Sequence, residues 1–169
     1  MNIRNAGKQD AAAIARIHIQ SWQETYSGIM PDEILQRLSI ERRQKMWENI
    51  LGGTDGTTVL VAESGDGEIV GFSSAGAARG DFAGYDGELY AIYLLQSAQG
   101  SGTGYALFRA VATALIHQGF GAMYLWVLQA NLSACRFYER TGGNMIGTKT
   151  ETFGDRELVE IAYGWNPLH

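Results

Sequence analysis

The chain has 169 residues, 46% hydrophobic and 18% charged, with a formal net charge of −5. That is bulk enough for a sizeable core and too apolar for disorder, so one domain spanning residues 1–169 is expected, and the acidic balance excludes a nucleic-acid partner, which needs a basic face. No apolar run reaches the ~18–20 residues of a membrane span, Met1–Ala6 lacks a signal peptide's apolar stretch, and a single cysteine (Cys135) without a Cys/His cluster points to a reducing, cytoplasmic setting and no metal site.

Taken in chain order, Ile3-Arg4-Asn5-Ala6 reads as a short strand. Asp10 is a candidate N-cap for a helix from Ala11 to Tyr26, with Ile14, Ile17, Ser21 and Trp22 on one stripe. Pro31, Asp32 and Glu33 suit the first turn of a short helix through Leu38, and Ser39 can cap another from Ile40 to Leu51. Thr57 to Glu63 and Glu68 to Ala75 alternate as an antiparallel hairpin around Ser64-Gly65-Asp66-Gly67. A glycine-containing loop, Ala77 to Gly87, leads to a strand from Glu88 to Leu94. Then come a helix to Gln118, a strand from Ala122 to Leu128, a helix from Leu132 to Thr141 and a closing hairpin, Asn144–Phe153 with Glu157–Trp165. This order predicts an α/β (mixed α+β) fold, a sheet with helices on both faces.

The junction after Leu94 carries the strongest chemical signal. Leu95-Gln96-Ser97-Ala98-Gln99-Gly100-Ser101-Gly102-Thr103-Gly104-Tyr105 joins a strand to a helix whose Leu107, Phe108, Val111 and Leu115 share one face. The first N–H groups of a helix have no internal partner, and the aligned peptides place about half a positive charge there. Glycines let backbone approach a phosphate, so a phosphorylated ligand is expected on the N–H groups of residues 100–105. A Walker A loop would need Lys-Ser or Lys-Thr after the last glycine, and a dinucleotide fingerprint would need G-x-G-x-x-G and an acid about 20 positions on; Gly100, Gly102 and Gly104 satisfy neither.

The spacing Gln99, Gly102, Gly104 fits Q/R-x-x-G-x-G, and Asn131-Leu132-Ser133-Ala134-Cys135-Arg136-Phe137-Tyr138 follows a second strand as N-x-x-A-x-x-F-Y. The two blocks together resemble the GNAT superfamily of N-acetyltransferases. That resemblance implies a central, mostly antiparallel sheet of about seven strands, splayed between the fourth and fifth, with acetyl-CoA as cosubstrate. It implies a pyrophosphate wrapped by Gln99, Gly100, Ser101, Gly102, Thr103, Gly104 and Tyr105, and a pantetheine arm on the backbone of Ile92, Tyr93 and Leu94 and on Asn131, which can also cap its helix. The family implies a homodimer as the assembly to test.

Acetyl transfer to a primary amine requires loss of a proton: an alkyl ammonium of pKa ~10.4 costs about 4.6 kcal/mol to neutralise at pH 7. Some family members place a glutamate base where Glu88 stands, with Glu24 the alternative in this chain. Family members place a tyrosine at the position of Tyr138 to donate to the CoA sulfur. A phenol of pKa ~10 is a weak acid toward a thiol near 8.5, so hydrogen bonding to the developing thiolate is the expected role. Trp22, Tyr26, Phe82 and Trp126, with Phe72 and Tyr85, are candidate walls for the amine acceptor, a small molecule or a peptide, and His18 shares a stripe with Trp22. Cys135 has no evident base beside it and reads as a buried thiol. The expected reaction is direct transfer in a ternary complex; a non-catalytic acyl-CoA sensor and a nucleotide-binding oxidoreductase are the rival classes.

Overall fold

The computed structural model describes residues 1–169. Its elements are β1 (Asn2–Asn5), α1 (Ala11–Tyr26), α2 (Asp32–Gln36), α3 (Ile40–Gly52), β2 (Thr58–Glu63), β3 (Ile69–Ala77), β4 (Gly87–Leu94), α4 (Thr103–His117), β5 (Met123–Leu128), α5 (Leu132–Arg140), β6 (Asn144–Phe153) and β7 (Arg156–Trp165). The strands form one sheet in the order β1-β2-β3-β4-β5-β7-β6. All neighbours are antiparallel except β4 and β5. No helix is long and apolar enough to cross a membrane.

Both faces of the sheet are covered, so β2 is buried at every position from Thr58 to Ala62 rather than alternating. On one face α4 lays Leu107, Phe108, Val111 and Leu115 against Leu89, Met123, Leu125 and Val127, with Cys135 and Tyr138 of α5. On the other, Ile14 and Ile17 of α1 and Trp47 of α3 pack on Val59, Val61 and Phe72. A third, smaller cluster joins Tyr26, Met30 and Leu35 to Leu128. Leu107 is fully buried, so truncating it to alanine would cost about 2–5 kcal/mol through lost transfer energy and the cavity left behind.

The capping residues divide. Ser39 Oγ accepts from the Arg42 N–H at 3.3 Å, as a cap should. Asp10 does not cap α1: its carboxylate takes the Arg4 guanidinium at 2.7 and 3.0 Å and the Gly7 N–H at 2.8 Å, and its backbone is already helical. A strong charge-assisted pair outcompetes a lone backbone donor. α2 stops at Gln36, two residues short of the expected end.

The feature that positions the site is a failure of pairing. β4 pairs with β3 along its whole length, and β5 with β7 along its whole length. Between β4 and β5 only Gly87 with Met123 and Glu88 with Tyr124 are in register. Beyond those two pairs the sheet opens into a V, leaving the β4 edge from Leu89 to Leu94 without a strand partner.

Candidate active site

A cleft of about 1090 Å³ fills the V and runs from the turn before α4 to the face of β5, β7 and β6. It is lined by β4 and β5, by Trp22, Tyr26 and Met30 from α1 and the loop after it, and by Phe137 and Tyr138 of α5.

At one end lies the glycine turn. Gly100 and Gly102 adopt φ of +75° and +86°, values that a side chain would strain. A Cβ at either would meet nothing within 4 Å, so the surface there is open backbone. Gly102 is the N-cap of α4, and none of the turn or cap hydrogen bonds uses an N–H of Gly100 to Tyr105 as donor. Gln99, Gly100, Gly102, Gly104 and Tyr105 line the cleft. The side chains of Ser101 and Thr103 turn away from it: their hydroxyls meet at 2.8 Å, and Ser101 also donates to the Ala98 carbonyl. Gln99 Nε2 donates to the Leu94 carbonyl at 3.3 Å, tying the turn to the end of β4.

Ile92, Tyr93 and Leu94 line the middle of the cleft, on the unpaired β4 edge. Asn131 lines the opposite wall, and its Oδ1 accepts from the Ala134 N–H at 3.2 Å, so it caps α5 as well. Tyr138, one α5 face further on, is buried, and burial pushes its phenol well above the usual range. Burial also raises Tyr26, whose hydroxyl interacts with Tyr93 and Asn131. Trp22 Nε1 donates to the Tyr93 hydroxyl at 2.9 Å, which locks α1 to β4 across the cleft floor.

Glu88 stands where the V closes. Its side chain is 6% exposed and fully engaged: Oε2 accepts from the Arg79 N–H at 2.8 Å and from the Tyr124 hydroxyl at 3.3 Å, and Oε1 takes the Arg79 guanidinium at 2.7 Å. The guanidinium is itself fixed over the Tyr90 ring, 4.2 Å from its centroid. The hydrogen bond to Glu88 raises the Arg79 pKa, so this cation is permanent. Glu24 lies at the cleft mouth, its carboxylate on Gln20 Nε2 at 2.8 Å and the Gln96 N–H at 3.4 Å.

Among the aromatic candidates, Trp22, Tyr26 and Trp126 line the cleft; Phe82 does not. Phe82 packs behind, 5.2 Å from Tyr124 and 5.9 Å from Trp126, over Gly147, where β6 offers no side chain to compete for the space. Tyr85 meets it edge-on, and Phe72 is core. His18 is also off the cleft: it accepts from Trp47 Nε1 at 3.3 Å and stacks on Tyr93, and burial pushes it down to about 3. The Cys135 thiol is buried and raised by that burial, the opposite of an activated nucleophile.

Among the lining residues that no sequence motif marks are the polar side chains of Arg79, Tyr124, Lys149 and Glu160. Tyr124 and Trp126 are two apart on β5 and share a face, so the period-2 rule applied to Trp126 would have found Tyr124. Lys149 and Glu160 face each other across the β6–β7 register, which only the hairpin pairing reveals.

A model of the acetyltransferase (GNAT) family matches residues 12–143. The chain is similar to the uncharacterised N-acetyltransferase YuaI of Bacillus subtilis, 35% identical over 169 residues, 99% of this chain and 94% of that protein. Its fold is shared with a ribosomal-protein-alanine N-acetyltransferase of Brucella melitensis, at a TM-score of 0.78 and 24% identity over 98% of this chain and 99% of the other. It is also similar to YncA of Salmonella typhimurium, described as an acetyltransferase and solved with its cofactor acetyl-CoA, at a TM-score of 0.73 and 26% identity over 98% and 93%.

Proposed function

Because the chain belongs to the acetyltransferase (GNAT) family and so is an acetyl-CoA-dependent N-acetyltransferase, we propose that its cleft carries acetyl transfer to a primary amine directly, in a ternary complex. The observation that carries this is the V itself: two β4–β5 pairs, then an open strand edge that runs into a helix N-terminus with free N–H groups. The strand edge suits an extended amide-bearing arm, and the helix N-terminus suits a pyrophosphate. Bound acetyl-CoA supplies the thioester carbon that the amine attacks.

The chain's own residues divide the remaining work. The N–H groups of residues 100–105 hold the phosphates, with no cation needed from a side chain. Ile92, Tyr93 and Leu94 offer backbone groups to the arm, and an open N–H on this edge is available to developing negative charge on the carbonyl oxygen. The Tyr138 phenol, kept protonated by burial, donates a hydrogen bond to the sulfur. Glu88 takes the amine's proton by relay: the Tyr124 hydroxyl accepts from the ammonium while passing its own proton to Glu88. A relay suits a carboxylate already ringed by three donors. Cys135, buried and raised, has no covalent step to perform, which favours direct transfer over a two-stage route.

Calorimetric titration of wild type and Gly102→Trp with acetyl-CoA, NAD and ATP tests this. Micromolar binding of acetyl-CoA alone, lost in the variant, is the expected result, followed by thiol release with one or more members of an amine panel. NAD binding that CoA does not displace would point to an oxidoreductase. Acetyl-CoA binding with no amine ever acetylated would point to a sensor.

A further inference from the structure

Besides Glu24 at the mouth, the carboxylates of Glu88 and Glu160 line the cleft, and these two differ in what already holds them. Glu88 accepts from three donors. Glu160 on β7, opposite Leu128 and Lys149, has a single charged partner, Lys149 Nζ, at a long 3.4 Å. Its side chain is only 17% exposed, so it is largely stripped of water and held by one long ion pair.

Lys149 shows what that corner of the cleft accommodates. Its ammonium lies 4.5 Å from the Trp126 ring centroid, 3.4 Å from Glu160 and 3.3 Å from Glu151. An aromatic face and two carboxylates around one primary ammonium form a receptor for that group: the ring quadrupole attracts it, and the carboxylates take its N–H donors. Lys149 is 39% exposed, and exposed ion pairs are weak. It can leave Glu160 without losing all anionic contact, because Glu151 stays within reach.

We propose that Glu160, together with the face of Trp126, docks the primary ammonium of the acceptor, with Lys149 holding that place in the free protein and retreating to Glu151 when the acceptor enters. This role rests on the acetyltransferase function above. It also divides the carboxylates: Glu160 binds the charged amine, and the Glu88–Tyr124 pair removes its proton. Trp126 and Tyr124 share one face of β5, so docking and proton transfer take place along one wall. The acceptor this fits is an unbranched primary ammonium on an apolar or aromatic body, able to lie against Trp22, Tyr26 and Trp126.

The probe is benzylamine hydrochloride, titrated calorimetrically into CoA-saturated protein and used as acceptor with acetyl-CoA under thiol-release detection. Glu160→Gln should raise the KM for benzylamine about tenfold or more, with kcat within about threefold and acetyl-CoA affinity unchanged, because a charge-assisted contact worth roughly one decade of affinity is lost. Glu160→Asp should recover part of the loss. Lys149→Met removes the internal competitor and should lower the KM by about three- to tenfold. A Glu160→Gln enzyme with unchanged KM, or a Lys149→Met enzyme that binds benzylamine no better than wild type, overturns the proposal, as does wild type that fails to bind benzylammonium at tens of millimolar. Binding that depends on Glu160 with no thiol release from benzylamine or from any member of the amine panel would leave the docking role standing and sink the acetyl-transfer reaction; thiol release indifferent to Glu160 does the reverse.

Discussion

The two ends of the cleft are built from different material. The end proposed for the phosphates is backbone: one contiguous turn, Leu95 to Tyr105, whose N–H groups from Gly100 onward are left unengaged by the turn and whose Ser101 and Thr103 hydroxyls face each other rather than the cleft. The acceptor end is side chains, drawn from α1, the loop before β4, and β4 to β7. A backbone site recognises what every acetyl-CoA shares and needs only the turn to keep its shape. A side-chain site can be changed one residue at a time, and the proposed function places the choice of amine there.

Substitutions that separate backbone from side chain test this contrast most severely. Gly102→Val forces a β-branched residue to φ +86°, at a cost of at least about 1–2 kcal/mol, and fills the open space proposed for the phosphates. Acetyl-CoA affinity should fall more than about a hundredfold, while Ser101→Ala, two atoms away in the same turn, should change it less than about threefold. Equal losses in the two variants, measured by calorimetry, would mean the turn works through side chains after all.

At the other end the expected effects appear in turnover. Tyr138→Phe keeps the ring that packs between Phe137 and Trp165 and removes only the hydroxyl. The kcat should drop about 30- to 100-fold, at the low end of acid–base contributions, with acetyl-CoA affinity within twofold. An unchanged kcat would make Tyr138 a core residue. Arg79→Met probes the support beneath. It strips the cation from Glu88, whose side chain is 6% exposed, while Arg79 itself is 63% exposed. Solvent screening on the Arg side limits the loss to about 1–2 kcal/mol in urea denaturation, and the double variant with Glu88→Gln should regain most of it. If the double variant is no more stable than the single, the pair is not what holds this corner together.

The same contrast explains what the sequence revealed. The glycine turn, α4 and the Asn131–Tyr138 helix were legible because their information is local: spacing, caps and periodicity. α1 ran from Ala11 to Tyr26 as its apolar stripe implied. The V was not legible from residues, because a missing hydrogen bond leaves no residue pattern. Nor was Arg79, which lies in a glycine loop and gains meaning only when that loop folds over Glu88. Lys149 and Glu160 needed the β6–β7 register to meet. Of the aromatics expected as acceptor walls, Phe72, Phe82 and Tyr85 lie off the cleft, Phe82 packing behind Trp126 because Gly147 leaves a hollow there.

The smallest expected effect concerns pH, and it too acts on one end only. Residues 95–105 contain no Asp, Glu, His, Lys, Arg or Cys. His18, by contrast, stacks on Tyr93 beneath the acceptor wall, and burial pushes its imidazole from 6.5 down to about 3. Below pH 6.5 the unfolded chain binds a proton there that the folded chain refuses, so stability rises with pH and is lost progressively as pH falls from about 6.5 toward 3. Between pH 7 and 6 the loss is roughly 1 kcal/mol or less, about 2 °C in Tm for a chain of this size. The shifted carboxylates cannot mimic this, because Asp10 and Asp86 start from the ordinary aspartate value of 3.8 and are lowered further. His18→Gln, which can still accept from Trp47 Nε1, should therefore flatten the Tm profile between pH 7 and 5 while leaving the melt below pH 4 acid-sensitive. A wild-type profile already flat over that interval would mean that His18 finds a proton in the folded state, and that the acceptor wall is looser than its packing implies.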